Sequence, residues 1–215
     1  MYDFEYVSKK NAMPYKKELI EIINKVQDEV RDKFTFQFTF IGSSSRNMIT
    51  YDSKTNKGFD FDVNLEVNDE RYSAREIRNI LRKAFNHIVP NYGYSNCEDS
   101  TRVLTIKHIN HWQSRIEYSC DFAIVYNSQN EQQYIRYNKS TGTCTWEFQK
   151  QPYKELEKRA GELKNKGCWD EVLKVYRCKK NTNDNPCKHS RSLYAETINE
   201  CYSRHFSKTR KKQNG

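Results

Sequence analysis

Apolar and polar residues alternate without a break along FDFDVNLEV, residues 59–67, and three of the four polar residues are acidic. Because successive side chains of a strand point to opposite faces, one face of this segment is apolar throughout. The other face carries Asp60, Asp62, Asn64 and Glu66. The pattern predicts a strand with one buried face and one acidic face.

Similar alternation predicts further strands along the first two thirds of the chain. The segments concerned are FTFQFTFI (34–41), TRVLTIKHI (101–109), SRIEYSCDFAIVY (114–126) and a hairpin over 132–148 that turns at Ser140-Thr141-Gly142.

Helical periodicity is found at the N-terminal side, between the strands and at the C-terminal end. Apolar residues three and four apart predict helices over 15–33 and 73–88. Three more helical patterns follow residue 149: YKELEKRAGELKNK, CWDEVLKVYRCKK and HSRSLYAETINECYSRHF. The order of elements predicts an α+β fold: a mixed-sheet core with its N-terminal helix over 1–149, a helical lobe over 150–206 and a basic tail over 207–215.

Composition supports a folded chain with a charged end. Hydrophobic residues make up only 36%, but 11 Phe, 15 Tyr and 3 Trp supply large apolar groups for a core. The formal net charge is +9, of which +5 lies from Arg204 onward, where no acidic residue occurs. This end is interpreted either as a solvated terminus or as an arm that contacts phosphates of RNA or other nucleic acid.

The sequence indicates a protein of the cytoplasm without a membrane partner. It has no apolar leader and no apolar run of membrane-spanning length. Its seven cysteines, an odd number, indicate reduced thiols. Cys168, Cys178, Cys187, His189 and Cys201 are close in sequence, but they lack a C-x₂-C pair, so zinc is less expected than free thiols.

Candidate chemistry centres on two features that flank one loop. Gly42 permits close backbone approach, and Ser43-Ser44-Ser45-Arg46 is expected to begin a short helix whose N–H groups, with the serine hydroxyls and the Arg46 charge, suit a triphosphate. Asp60 and Asp62 share a strand face and suit Mg²⁺. Asp121, if its strand lies beside 59–67, would add a third carboxylate.

These elements in this order, GSSSR, FDFDVNLEV and CDFAIV, resemble the nucleotidyltransferase superfamily of DNA polymerase β. The acidic strand is most similar to the branch that holds cyclic GMP-AMP synthase and oligoadenylate synthase. The resemblance implies a mixed-sheet nucleotidyltransferase core with a C-terminal helical lobe. The 18 positions from Gly42 to Asp60 exceed the family's usual gap, so TYDSKTNKG (50–58) is interpreted as an inserted loop.

The resemblance also implies an activity: transfer of a nucleoside monophosphate from an NTP to a hydroxyl, with release of pyrophosphate. Two Mg²⁺ or Mn²⁺ ions would be held by Asp60, Asp62 and Asp121, and Asp121 would also act as general base. Lys174, Ser192 and Tyr194 are candidates for binding the nucleotide from the helical lobe. The acceptor stays open: a second nucleotide, an RNA end, a protein or a small molecule. The alternatives are a catalytically inactive relative that binds nucleotide or RNA, and an unrelated α+β interaction module.

Overall fold

The structure is a computed structural model that describes residues 2–55, 58–128, 131–149 and 154–210, with the backbone alone for 207–210. These residues form two compact units. One consists of residues 6–150, and the other of residues 151–215 together with residues 1–5. The α+β prediction is confirmed.

The strands that the sequence predicted lie within three residues of their expected bounds. The strands of the described residues are β1 (Phe4–Tyr6), β2 (Gln37–Ile41), β3 (Thr50–Asp52), β4 (Phe59–Glu66), β5 (Glu98–Asp99), β6 (Val103–Asn110), β7 (Arg115–Asn127), β8 (Gln132–Asn138) and β9 (Thr143–Gln149). Of these, β1, β3 and β5 were not predicted.

Two expectations about this part of the chain were wrong in detail. The strand predicted over 34–41 begins only at Gln37, because the Phe36 N–H donates to Gln27 Oε1 at 2.9 Å and Phe34 is buried in the core. The segment 50–58, expected to be a loop throughout, begins with β3 and turns after it. Residues 56 and 57 of that segment lie outside the described residues.

The helices are α1 (Lys9–Val30), α2 (Gly42–Ser45), α3 (Ala74–Ile88), α4 (Lys154–Asn165), α5 (Trp169–Thr182) and α6 (Ser190–Arg210). α1 was predicted over 15–33 but begins six residues earlier, because Ser8 caps it by accepting a hydrogen bond from the Asn11 N–H at 3.1 Å. A capping box formed by Ser73 and Glu76 begins α3 at its predicted place.

Seven strands form one mixed sheet. Five of them follow the order β2-β4-β7-β6-β5, and the other two form a hairpin in which β8 pairs with both β7 and β9. β4 and β7 run parallel, whereas the other neighbours are antiparallel. The apolar face of β4 is fully buried at Phe61, Val63 and Leu65. It belongs to one core with α1, α3 and the inner residues of β6 and β7, so the opposite face of the central strands carries the polar residues.

The C-terminal unit contains α4, α5 and α6 and buries Leu163, Val172 and Ile198. The predicted basic tail overlaps the end of α6, and residues 211–215 lie outside the described part. Arg204, the first residue of the basic end counted in the sequence, forms ion pairs with Glu171 and Glu200 inside the unit. None of the helices in the described ranges is long and apolar enough to cross a membrane.

Candidate active site

The parallel pairing of β4 and β7 brings the predicted carboxylates together. Asp62 lies directly opposite Asp121, and Asp60 lies directly opposite Ser119. Neighbouring strands are about 4.8 Å apart, and paired residues place their side chains on the same face. The three carboxylates therefore lie on one patch of the polar face.

Gly42 brings the preceding turn against this patch. β2 runs antiparallel to β4 with Ile41 opposite Asp62, so the chain turns beside the Asp62 carboxylate. Gly42 has φ +65°, and a Cβ at this position would overlap the Asp62 carboxylate. The positive φ therefore favours glycine here, and a side chain at this position would also have to displace the Asp62 carboxylate.

The Gly-Ser-Ser-Ser turn forms the short helix expected from the sequence, α2. Ile41 occupies its N-cap position and has no polar side chain with which to cap the turn. The Ser44 hydroxyl is buried and donates to the Ile41 carbonyl at 2.9 Å, and the Ser45 hydroxyl donates to the Gly42 carbonyl at 3.0 Å. A contact between Ser44 and a phosphate would consequently come from its backbone N–H.

Burial and like charge make ionisation of this patch unfavourable. The pKa of Asp62 rises from its ordinary 3.8 to about 6, chiefly through burial and then through the charges of Asp121 and Asp60, while Arg46 lowers it. Burial also raises the pKa of Asp121, against the lowering effect of its hydrogen bond with Thr105. The patch therefore attracts positive charge.

Sequence reasoning missed two hydroxyl groups that contact the carboxylates. The Thr105 hydroxyl on β6 donates to Asp121 Oδ1 at 2.6 Å, and the Ser119 hydroxyl donates to Asp60 Oδ1. Lys107 follows on the same face of β6 and bonds to Glu98 Oε2 at 2.5 Å. The parity of β6 and β7 could have placed these residues on the acidic face, but it could not show which carboxylate each would contact.

Carboxylate oxygens of Asp60, Asp62 and Asp121 are the donor type that Mg²⁺ and Mn²⁺ prefer. Burial, and after it the charges of Asp121 and Asp60, raise the pKa of Asp62, and a divalent cation beside these carboxylates would favour their ionised forms. In the side-chain positions described, no three His, Cys, Asp or Glu groups converge closely enough to hold one ion. The patch fits a divalent cation by its charge and by the chemistry of its oxygen donors.

The remaining candidates lie on the C-terminal unit. Lys174 and Ser192 are exposed on α5 and α6, whereas Tyr194 is buried with its ring edge-on to Tyr176 at 6.3 Å. Their roles in nucleotide binding stay predictions. Each of the seven cysteines is a free thiol, and Cys178 and Cys187 are exposed.

The fold of the chain is that of nucleotidyltransferases, as the motifs predicted. Structures of the bacterial CD-NTases share it at low sequence identity. DncV of Vibrio cholerae bound to 3′-deoxy ATP is similar with a TM-score of 0.57 and 17% identity over 87% of this chain and 51% of DncV. CdnG of Bradyrhizobium diazoefficiens in complex with GTP gives a TM-score of 0.57 and 11% identity over 87% of this chain and 64% of CdnG.

A further structure, of the DncV cyclic AMP-GMP synthase with the linear intermediate 5′-pppA(3′,5′)pG, gives a TM-score of 0.56 and 16% identity. The chain spans about half to two thirds of the length of these structures. No protein-family model matches the sequence, and no curated protein matches it either.

Proposed function

We propose that the protein is a nucleotidyltransferase that transfers a nucleoside monophosphate from an NTP to a hydroxyl acceptor. The observation that carries the proposal is the parallel register of β4 and β7, which sets Asp121 opposite Asp62 beside the Gly42 turn. The solved structures that share the fold contain GTP, 3′-deoxy ATP or a linear dinucleotide, which supports an NTP as the donor.

Some residues of the patch would bind the NTP donor, and others would serve the hydroxyl acceptor. The N–H groups of α2 and the Arg46 guanidinium suit the triphosphate, and Asp60 and Asp62 would hold its cation. Two Mg²⁺ or Mn²⁺ ions, when bound, would neutralise the triphosphate and lower the pKa of the acceptor hydroxyl. Asp121 would join Asp60 and Asp62 on the acceptor side.

The reaction conserves atoms and charge at the α-phosphorus. The acceptor oxygen forms a bond to this phosphorus, the bond from this phosphorus to the α,β-bridging oxygen breaks, and pyrophosphate leaves with that oxygen. Asp121 accepts the proton of the hydroxyl, a role that suits a carboxylate whose pKa is raised by burial. Among acceptors, the linear dinucleotide in the DncV structure favours a second nucleotide.

The test is mass spectrometry of products formed from all four NTPs with Mg²⁺ or Mn²⁺, with and without RNA, together with pyrophosphate release. Asp60→Ala and Asp62→Ala should abolish both the product and the pyrophosphate while they leave the circular dichroism spectrum unchanged. Turnover at the wild-type rate by the variant that carries both Asp60→Ala and Asp62→Ala would contradict the assignment of the site.

A second candidate is a catalytically inactive relative that binds nucleotide or RNA. The distribution of charge favours it: residues 151–215 contain sixteen Lys and Arg against eight Asp and Glu, which leaves +1 for residues 1–150. Retention of RNA without metal and without pyrophosphate release would support this candidate instead.

A further inference from the structure

Two side-chain hydroxyls donate hydrogen bonds to two of the three carboxylates. Ser119 on β7 donates to Asp60 on β4, and Thr105 on β6 donates to Asp121 on β7. Each donor is the residue directly opposite its carboxylate in the sheet register. Both donors are 9% exposed.

The two contacts share one geometry. In each, the hydroxyl comes from the next strand in the order β4, β7, β6 and bonds to Oδ1 of the carboxylate. A hydroxyl has one proton, so each donor occupies one carboxylate oxygen and leaves Oδ2 for another partner. Asp62 is surrounded differently, by the Gly42 backbone and the Arg46 charge.

We propose that Thr105 and Ser119 are positioning residues that fix the side-chain rotamers of Asp121 and Asp60, so that the second oxygen of each carboxylate is available to the divalent cations. This inference rests on the proposed nucleotidyl transfer. The two residues act through the carboxylates that they contact.

The physical reason is the repulsion among the carboxylates. Asp121 lies directly opposite Asp62 in the strand register, and Asp60 lies two residues from Asp62 on the same face of β4, so the like charges lie close together and repel one another. A hydrogen bond from a neutral hydroxyl to a carboxylate is a strong, charge-assisted one. It restrains the rotamer without adding a positive charge that would compete with the cations.

The division of labour in the site gives the two hydroxyls different kinetic signatures. Ser119 holds Asp60, which belongs to the pair proposed to bind the cation of the NTP, so its removal should weaken NTP binding. Thr105 holds Asp121, which is proposed to serve the acceptor, so its removal should lower kcat and leave the KM for NTP within about twofold.

The experiment compares Ser119→Ala, Thr105→Val and Thr105→Ser with the wild type. Titration calorimetry measures the affinity for Mn²⁺ with a non-hydrolysable NTP, and pyrophosphate release gives kcat and KM. Ser119→Ala should lower the affinity, and Thr105→Val should lower kcat, each roughly tenfold or more. Thr105→Ser restores the hydroxyl and should recover most of the wild-type kcat.

Thr145→Val is the matched control, because Thr145 is exposed on β9 of the same sheet and pairs with Arg136. It should behave as the wild type. If Thr105→Val does not fold, Thr105→Ala replaces it, with the thermal transition of each variant as the criterion.

Two results would overturn the inference in distinguishable ways. An active wild type whose Thr105→Val and Ser119→Ala variants match the control would remove the positioning role alone. A wild type without turnover, whose Mn²⁺–NTP affinity is unaffected by Asp60→Ala and Asp62→Ala, would remove the proposed function and this inference together.

Discussion

Gly42 is the residue at which the turn and the acidic strand meet. Its positive φ and its approach to the Asp62 carboxylate leave no space for a side chain. The sequence suggested that Gly42 permits close backbone approach to a ligand. In the structure, the close approach is to Asp62 itself, so Gly42 lets the Gly-Ser-Ser-Ser turn lie against the carboxylates.

Gly42→Ala should therefore destabilise the protein by about 2 kcal/mol or more and abolish turnover, because the new Cβ is strained by φ and displaces Asp62. Chemical denaturation measures the free energy of unfolding. Gly161→Ala is the matched control: it lies in α4, has no atom within 4 Å of a new Cβ, and should be neutral or slightly stabilising. Equal effects at the two sites would contradict this role of Gly42.

Asp62 should make the stability of the metal-free protein depend on pH. Its pKa is about 6 in the folded state against an ordinary 3.8, so the folded state binds the proton more tightly and stability falls as pH rises from about 4 to about 6. Asp62→Asn removes the free-energy cost of ionising this carboxyl in the folded state. With a chelator present, the variant should be more stable than the wild type by about 3 kcal/mol at neutral pH and should match it near pH 4.

Thermal unfolding at a series of pH values checks this expectation. Addition of Mn²⁺ at neutral pH should raise the transition temperature of the wild type and should raise that of Asp62→Asn much less. A stability difference between the two proteins that stays constant across the pH range would rule out the proposed origin of the shift.

At the scale of elements, α3 is attached to the sheet by one buried arginine. Arg78 is 1% exposed and donates to Asp99 Oδ1 through Nε at 2.9 Å and to the Ser100 carbonyl through Nη2 at 2.5 Å. These bonds link the helix to β5 and to the turn before β6. The sequence showed the helical pattern of 73–88, but it could not show that a charged residue lies inside.

Arg78→Met should cost about 3 kcal/mol or more in unfolding free energy, because Asp99 loses its main partner and Arg82 lies farther from it. Arg75→Met changes an exposed residue one turn earlier on the same helix and should cost less than about 0.5 kcal/mol. Urea denaturation of both variants provides the comparison, and similar losses would show that the buried ion pair is not the cause.

Much of the fold was predictable from the sequence because each central strand has one apolar face. The alternation in 59–67 and 114–126 required strands with these parities, and the placement of Asp121 on the acidic face followed from them. Strand ends were less predictable, since local hydrogen bonds, such as that from the Phe36 N–H to the Gln27 side chain, decide where the pairing of β2 with β4 begins. The start of α1 depended likewise on a single cap, Ser8.

The detail of the site was predictable only in part. Periodicity placed Asp60 and Asp62 together, and the order of motifs selected Asp121. Strand neighbours are set by the long-range topology, so nothing local in the sequence paired Thr105 with Asp121 or Ser119 with Asp60. The internal use of the Ser44 and Ser45 hydroxyls was hidden for the same reason, because it depends on the conformation of α2.

At the scale of the whole molecule, charge is divided unevenly along the chain. Residues 151–215 carry nearly all of the net +9, and part of it is the basic end at Lys208, Arg210, Lys211 and Lys212. Deletion of 207–215 should leave the transition temperature nearly unchanged, because polar ends add little to a core. If the end is a phosphate-contacting arm, the deletion should also reduce the dependence of RNA affinity on salt concentration. An unchanged slope of log affinity against log salt concentration would exclude the arm.

The central claim is that Asp60, Asp62 and Asp121 form one site for nucleotidyl transfer. The most direct test measures pyrophosphate release by Asp121→Asn at saturating Mg²⁺–NTP, together with NTP affinity on the same sample. Asparagine keeps the shape and removes the charge that would accept the proton. The variant should bind the NTP within a few-fold of the wild type and lose roughly 10²-fold or more of its turnover. Turnover at the wild-type rate would remove Asp121 from the site and contradict the account.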